Sequence, residues 1–166
     1  LPNEPIGPAN EKFFPYLSGE RTPLNDAHIR AGFSGLGQTS NLAKLTQCVM
    51  EGVSFALRDC LEAIRKTNAS PNSLLAIGGG SVSQFWLQTI SNTLNIELEK
   101  PKSGEFGAAL GAARLAISSI IKEPIENIMS KPEIEKKIIP DQRYVNLYQT
   151  AYEKFTQGHS NLRGLQ

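Results

Sequence analysis

The chain has 166 residues, 17 basic against 16 acidic side chains, a net charge of +1 and a hydrophobic content of 40%. That suffices for one domain, or a large piece of a bigger protein, with a real core; no basic stripe invites nucleic acid. The longest mostly apolar stretch, 108–121, carries Arg114 and is too short to span a bilayer, so no membrane partner is expected. Leu1-Pro2-Asn3 lacks an initiator Met and a signal-like apolar run, which reads as an excised segment.

Residues 1–40 are rich in Gly, Pro, Asn and Ser and read as an irregular lead-in, with short extended pieces near Phe13-Phe14 and Gly32–Leu36. From Asn41 the character changes. Leu42, Leu45, Val49, Val53, Leu57, Leu61 and Ile64 recur every three or four residues and predict a helix to about Thr67, capped by Ser40 or Asn41. Gly52 falls inside that helix at a cost of about 1 kcal/mol against Ala, which implies a close backbone neighbour. Glu51 is expected to face solvent or to pair with a neighbour. Cys48 and Cys60, in the same helix, would lie about 18 Å apart. No disulfide follows, and a reducing, cytoplasmic compartment is expected. His28 and His159 stand far apart in sequence, so no metal site is expected.

Leu74–Ile77 reads as a short buried strand, broken by Gly78-Gly79-Gly80-Ser81. Val82, Phe85, Trp86, Ile90 and Leu94 then mark a helix closed by Asn95. Ile96–Glu99 alternates like a strand, and Pro101 should stop it. A helix from Phe106 to about Ile121 carries small residues at Gly107, Ala108, Gly111 and Ala112, suited to close packing. Residues 122–142 read as a connector with a short helix near Ile125–Met129. Val145, Tyr148, Tyr152 and Phe155 mark a last helix, with a polar tail over 158–166. The main domain is thus 41–157. Strands alternating with helices indicate an α/β fold, with only part of a sheet in the chain.

The glycine turn carries the chemistry. A strand feeding a helix through glycines offers backbone N–H groups, free of Cβ obstruction, to a ligand. The alternative is a βα connection chosen only for tight packing. One functional reading is a dinucleotide site, with Gly78, Gly80 and Ser83 approximating G-x-G-x-x-G and Glu97 or Glu99 placed for a ribose. Ser83 replaces the third glycine, and nothing else supplies hydride transfer.

The flanking motifs support another reading. Phe13–Pro23, FFPYLSGERTP, together with Phe33-Ser34-Gly35-Leu36 and Lys44–Gly52 at their spacing, resembles the FGGY family of carbohydrate kinases. Lys44 and Cys48 depart from the family pattern, but on a helix and not at chemistry. The glycine turn resembles the family's adenosine motif, and the small-residue helix follows in order.

The resemblance implies an actin-like ATPase (ribonuclease H-like) fold, with this chain most of the C-terminal domain of a two-domain kinase. It implies ATP, with Mg²⁺ bound through the phosphates, as cofactors, and a sugar as phosphoryl acceptor. The Ser18–Pro23 segment points to xylulose; glycerol, gluconate or another pentulose is the alternative, as is a non-catalytic nucleotide-binding module. By resemblance Gly79, Gly80 and Ser81 line the adenosine pocket through backbone contacts, and Gly78 either joins them or is needed only for the turn. Gln84 sits where a polar side chain meets adenine or ribose, or is a solvated first-turn residue. Trp86 is read as core, near enough to border the base.

Glu20 and Arg21 form a candidate cleft loop, read as salt-bridged and structural rather than catalytic, and Asp26 is read the same way. The catalytic Asp, the sugar-binding residues and the first phosphate loop of the family lie upstream. The isolated chain is therefore expected to be inactive, with bare apolar surface that could pair it into a homodimer.

Overall fold

The computed structural model describes residues 7–102 and 107–163, with side chains to 159. Strands β1 (Lys12–Phe14) and β2 (Gly32–Ser34) form an antiparallel pair, with Phe13 opposite Phe33. Helix α1 (Leu42–Arg65) follows, and Asn41 caps it by accepting the Lys44 N–H. Then come β3 (Ser73–Leu75), a 3-10 turn (Gly79–Val82), α2 (Gln84–Leu94) and β4 (Glu97–Pro101). Helices α3 (Gly107–Ile120) and α4 (Ile125–Ile128), strand β5 (Ile134–Ile138) and helix α5 (Gln142–Arg163) complete the described chain.

The larger sheet has the order β3-β4-β5. β3 and β4 are parallel, as a crossover through α2 requires, and β5 runs antiparallel to β4. The sequence reading took β5 for part of a connector. Its residues Ile134–Ile138 are mostly charged and only Ile138 is fully buried, so apolar periodicity gives little sign of it. Cross-strand pairs hold it instead: Lys100 to Glu135 at 3.1 Å and Lys137 to Glu97 at 2.7 Å. Pro101 ends β4 as expected, but from inside the strand and beside a bulge.

Two apolar clusters divide the interior. Leu61, Leu87, Leu94, Ile96, Leu98 and Ile138 pack α1 and α2 against the sheet. Phe14, Tyr16, Ile29, Phe55, Tyr148 and Phe155 join β1, α1 and α5 in an aromatic cluster, with Phe14 stacked on Phe155 at 5.0 Å. Gly52 makes the second cluster possible. A Cβ there would overlap the Phe13 carbonyl oxygen, so glycine alone lets β1 lie across the helix.

Glu51 does not face solvent but pairs with its neighbours; it is 1% exposed, and its carboxylate accepts from the Ala9 N–H, Gln47 Nε2 and Tyr148 Oη. Two expectations need correction. The small-residue helix α3 buries no residue, and among its glycines only Gly107 lies tight against a neighbour, Ile77. The expected polar tail is a continuation of α5 as far as Arg163. The expected helix start at Phe106 lies outside the described residues.

The cysteines are free. Cys48 is buried, which pushes its thiol up to about 11 and leaves it unreactive.

Candidate functional site: the glycine turn after β3

β3 delivers the chain to Gly78, whose φ of +86° with ψ of 177° is a conformation that essentially only glycine adopts. The following turn is closed from within. Ser81 N–H and Ser81 Oγ both donate to the Gly78 carbonyl, at 3.0 and 2.7 Å, and the Ser83 N–H donates to the Gly80 carbonyl at 3.2 Å. Ser83 then caps α2, accepting the Trp86 N–H. Ser81 is buried and its hydroxyl is spent on the turn, so any ligand contact there falls to backbone.

Among the described residues the outside of the turn is open: a Cβ at Gly78 or Gly79 would meet none of them within 4 Å, whereas one at Gly80 would meet the Trp86 ring at 2.9 Å. Trp86 is in turn fixed by its indole N–H, which donates to the Met50 carbonyl of α1 at 3.0 Å. The turn thus has a packed inner face on Trp86 and a bare outer face of glycine backbone at the N-terminus of α2. Such a surface can approach a flat or anionic ligand more closely than any side-chain-bearing backbone.

Gln84, the first residue of α2, is exposed, and its side-chain oxygen accepts from Lys136 Nζ of β5 at 2.9 Å. Lysine only donates, so the carbonyl end of Gln84 is committed to β5 and its amide N–H₂ is the end left to meet a ligand. Lys136 is not foreseen from the sequence because the strand that carries it, β5, is not. The spacing Ile134, Lys136, Ile138 places all three on one face and was the available signal.

Glu20 and Arg21 lie elsewhere, on the segment joining β1 to β2. Glu20 bridges to Asp26 through backbone, and its carboxylate accepts the Thr22 N–H at 2.9 Å. Asp26 in turn accepts the N–H groups of His28 and Ile29. No Glu20–Arg21 ion pair exists among the described residues, which corrects the salt-bridged reading: carboxylate-to-backbone bonds shape the loop. Nor does any hydrogen bond join this loop to the glycine turn among the described residues.

The dinucleotide reading fits poorly. Ser83 acts as a helix cap and not as a third glycine, and Glu97 and Glu99 both face Lys137, at 2.7 and 3.5 Å. Among the described residues no group of three or more His, Cys, Asp or Glu is placed to hold a metal ion, and no helix is long and apolar enough to cross a membrane.

Apolar grooves flank the turn. One of about 520 Å³ runs between α1, β3 and α2, past Leu57, Ile64, Ile77 and Trp86. A smaller one of about 180 Å³ separates Leu75, Ile77 and Pro101 from Gly107, Leu110 and Arg114 of α3. Ile77 and Val82, on either side of the glycines, are 55% and 76% exposed.

Comparison with known proteins agrees with this geometry. Residues 6–120 match the C-terminal domain of the FGGY family of carbohydrate kinases. The chain is 34% identical over 151 residues to the xylulose kinase of Escherichia coli (strain K12), covering 90% of this chain and 31% of that protein. The crystal structure of a "xyloylose kinase" from Brucella ovis superposes with a TM-score of 0.90 at 40% identity, over 99% of this chain and 34% of that one. A gluconate kinase from Lactobacillus acidophilus superposes with a TM-score of 0.74 at 29% identity, over 94% of this chain and 32% of that one. The chain thus spans about a third of the length of these relatives. Its mixed α/β architecture is the C-terminal part of the actin-like ATPase fold that such sugar kinases share. The chain belongs to the FGGY family of carbohydrate kinases, as a C-terminal domain.

Proposed function

We propose that this chain is the adenosine-binding part of an ATP-dependent kinase that phosphorylates xylulose. The observation that carries the nucleotide half of this reading is the open outer face of Gly78 and Gly79, backed by Trp86 and set at the head of α2. Backbone of Gly78–Ser81 would lie along the adenosine, with the Gln84 amide, oriented by Lys136, donating to an acceptor on base or ribose. ATP supplies the phosphoryl group, with Mg²⁺ carried on its phosphates. What these residues contribute is placement: they fix one end of the nucleotide so that the other end meets the acceptor.

The acceptor is read from the FFPYLSGERTP segment and from relatives that are themselves xylulose kinases. A sister activity on gluconate is the second reading, favoured by the gluconate kinase superposition. The catalytic base and the sugar-binding groups are assigned to a second domain outside these residues. We further propose cytoplasmic action, and no turnover by the 166-residue chain alone.

The test is the full-length parent protein with Mg-ATP and a panel of pentuloses, glycerol and gluconate, reading ADP production. Xylulose should give the largest kcat/KM. Preference for gluconate would replace the substrate, and xylulose-dependent ADP production by the 166-residue chain would overturn the division of labour. A titration of parent protein with ADP and with NAD tests the nucleotide separately; preference for NAD would reverse the assignment.

A further inference from the structure

Away from the glycine turn, a group of titratable side chains lies where α5 crosses α1 and the segment after β1. His159 of α5 holds Nε2 2.8 Å from Tyr16 Oη and 4.0 Å from Asp59 Oδ2 of α1. Asp59 is 7% exposed; Tyr152 Oη donates to its Oδ1 at 2.6 Å, while Oδ2 is buried without a hydrogen-bond partner among the described residues. The imidazole stands edge-on to the rings of Phe14, Tyr16 and Phe155, which cover most of it and leave 14% of the side chain exposed. Gly158, one residue earlier, lets this turn press on β1: a Cβ there would come 2.5 Å from the Phe14 ring.

A half-satisfied carboxylate in an apolar surround is a costly state, and burial accordingly pushes Asp59 above the usual aspartate range. Glu20, from the loop, adds further negative potential at Asp59 and at Tyr16. Arg58 opposes it, but its guanidinium lies 4.3 Å over the Tyr152 ring and donates to the Thr93 carbonyl and to Gln149. Tyr16, Tyr152 and Cys60 are all pushed up by burial and stay neutral at ordinary pH. His159 brings the imidazole, the side-chain type whose charge ordinarily changes between about pH 5 and 8.

We propose that His159, Tyr16 and Asp59 form a proton-operated staple that fastens the Ser18–Pro23 loop and the end of α5 to α1. In the neutral ring, Nε2 either accepts the Tyr16 proton or donates to its oxygen, according to tautomer, and Asp59 Oδ2 faces no cation at close range. When the ring takes a proton from solvent, Nε2–H can only donate, Tyr16 becomes the acceptor, and a positive charge stands 4.0 Å from the unsatisfied oxygen. The three segments are then held by a charge as well as by packing. A rise in pH removes the charge and loosens the loop that begins one residue after Leu17.

This inference does not depend on the kinase reading. It is tested on the full-length parent protein by hydrogen exchange of residues 17–23 at about pH 6 and about pH 8, corrected for intrinsic exchange. The wild type should be protected about fivefold more at the lower pH, the effect of one modest charge pair. His159→Gln and Asp59→Asn should each abolish that difference, and Asp59→Asn should lower the midpoint of the His159 ring titration followed by NMR. Should either variant fail to fold, the wild type alone decides: loop protection against pH must follow one proton with the midpoint of the His159 ring. Equal protection at both pH values, or a pH dependence that survives in His159→Gln, overturns the staple.

Discussion

The Trp86 indole N–H donates to the Met50 carbonyl at 3.0 Å, and the same ring lies under Gly80. One side chain thus sets the height of the glycine turn against the middle of α1. A loss of that hydrogen bond in Trp86→Phe should cost about 1 kcal/mol in chemical denaturation. Gly80→Ala drives a methyl into the ring and should cost about 1–3 kcal/mol. In the parent kinase both should raise KM for ATP more than KM for the sugar.

Gly79 separates binding from folding. A side chain there meets none of the described residues within 4 Å and needs no positive φ, so Gly79→Leu should leave the denaturation midpoint almost unchanged. It would nevertheless occupy the face offered to the nucleotide, and KM for ATP should rise about tenfold or more, equivalent to about 1.4 kcal/mol. An unchanged KM would mean that the ligand sits elsewhere.

Gly52→Ala is the severe case. The new methyl would overlap the Phe13 carbonyl oxygen, which belongs to the backbone of β1 and cannot swing away as a side chain could. A loss of about 3 kcal/mol is expected in the denaturation midpoint, with a lower melting temperature.

Glu51 gives a pH dependence with a defined sign. Burial raises its pKa in the folded protein despite the bonds from Gln47, Ala9 and Tyr148, so the fold prefers the protonated form. Its contribution is full below the ordinary glutamate value of about 4.3 and is lost as pH rises through the elevated folded-state value. Relative to Glu51→Gln, the wild type should therefore lose stability with rising pH across that window. Urea midpoints of the two proteins at a series of pH values read the difference; a wild type that gains stability on the variant with rising pH would contradict the burial argument.

Leu42, Val82, Leu115 and Ile120 are 80%, 76%, 62% and 82% exposed. With both apolar grooves open, the 166-residue chain should associate at high concentration in sedimentation and bind an apolar dye. The full-length parent should bind the dye less per molecule if its other domain covers these faces.

The long helices and the glycine turn are legible in the sequence because each carries strong apolar periodicity or a glycine break; β3 is legible as a strand but not as the buried one expected over Leu74–Ile77, since it spans Ser73–Leu75 and Leu75 and Ile77 are 48% and 55% exposed. β5 is not legible, because its pairing is made by Lys137, Lys100 and their acidic partners rather than by an apolar stripe. Glu51 is left ambiguous for a different reason. Gln47 is its hydrogen-bond partner close in sequence; the other two, Ala9 and Tyr148, are 42 and 97 residues away, so the local sequence does not announce that a carboxylate can be satisfied inside. His159 is similar, since the Tyr16 and Asp59 contacts exist only once α5 has docked. At the site, Gly78–Ser81 lie together at the end of a strand, but the orientation of Gln84 depends on the unforeseen Lys136.

Gln47 donates to the Gly7 carbonyl at 2.7 Å, and Glu51, one helical turn on, accepts the Ala9 N–H at 3.0 Å. Two side chains of one rigid rod therefore grip the incoming backbone at successive peptide units. Gln47, Met50 and Glu51 of the same helix thus bond both the Gly7–Ala9 backbone and, through the Met50 carbonyl, the indole beneath Gly80, so α1 is the common anchor of the lead-in and the glycine turn.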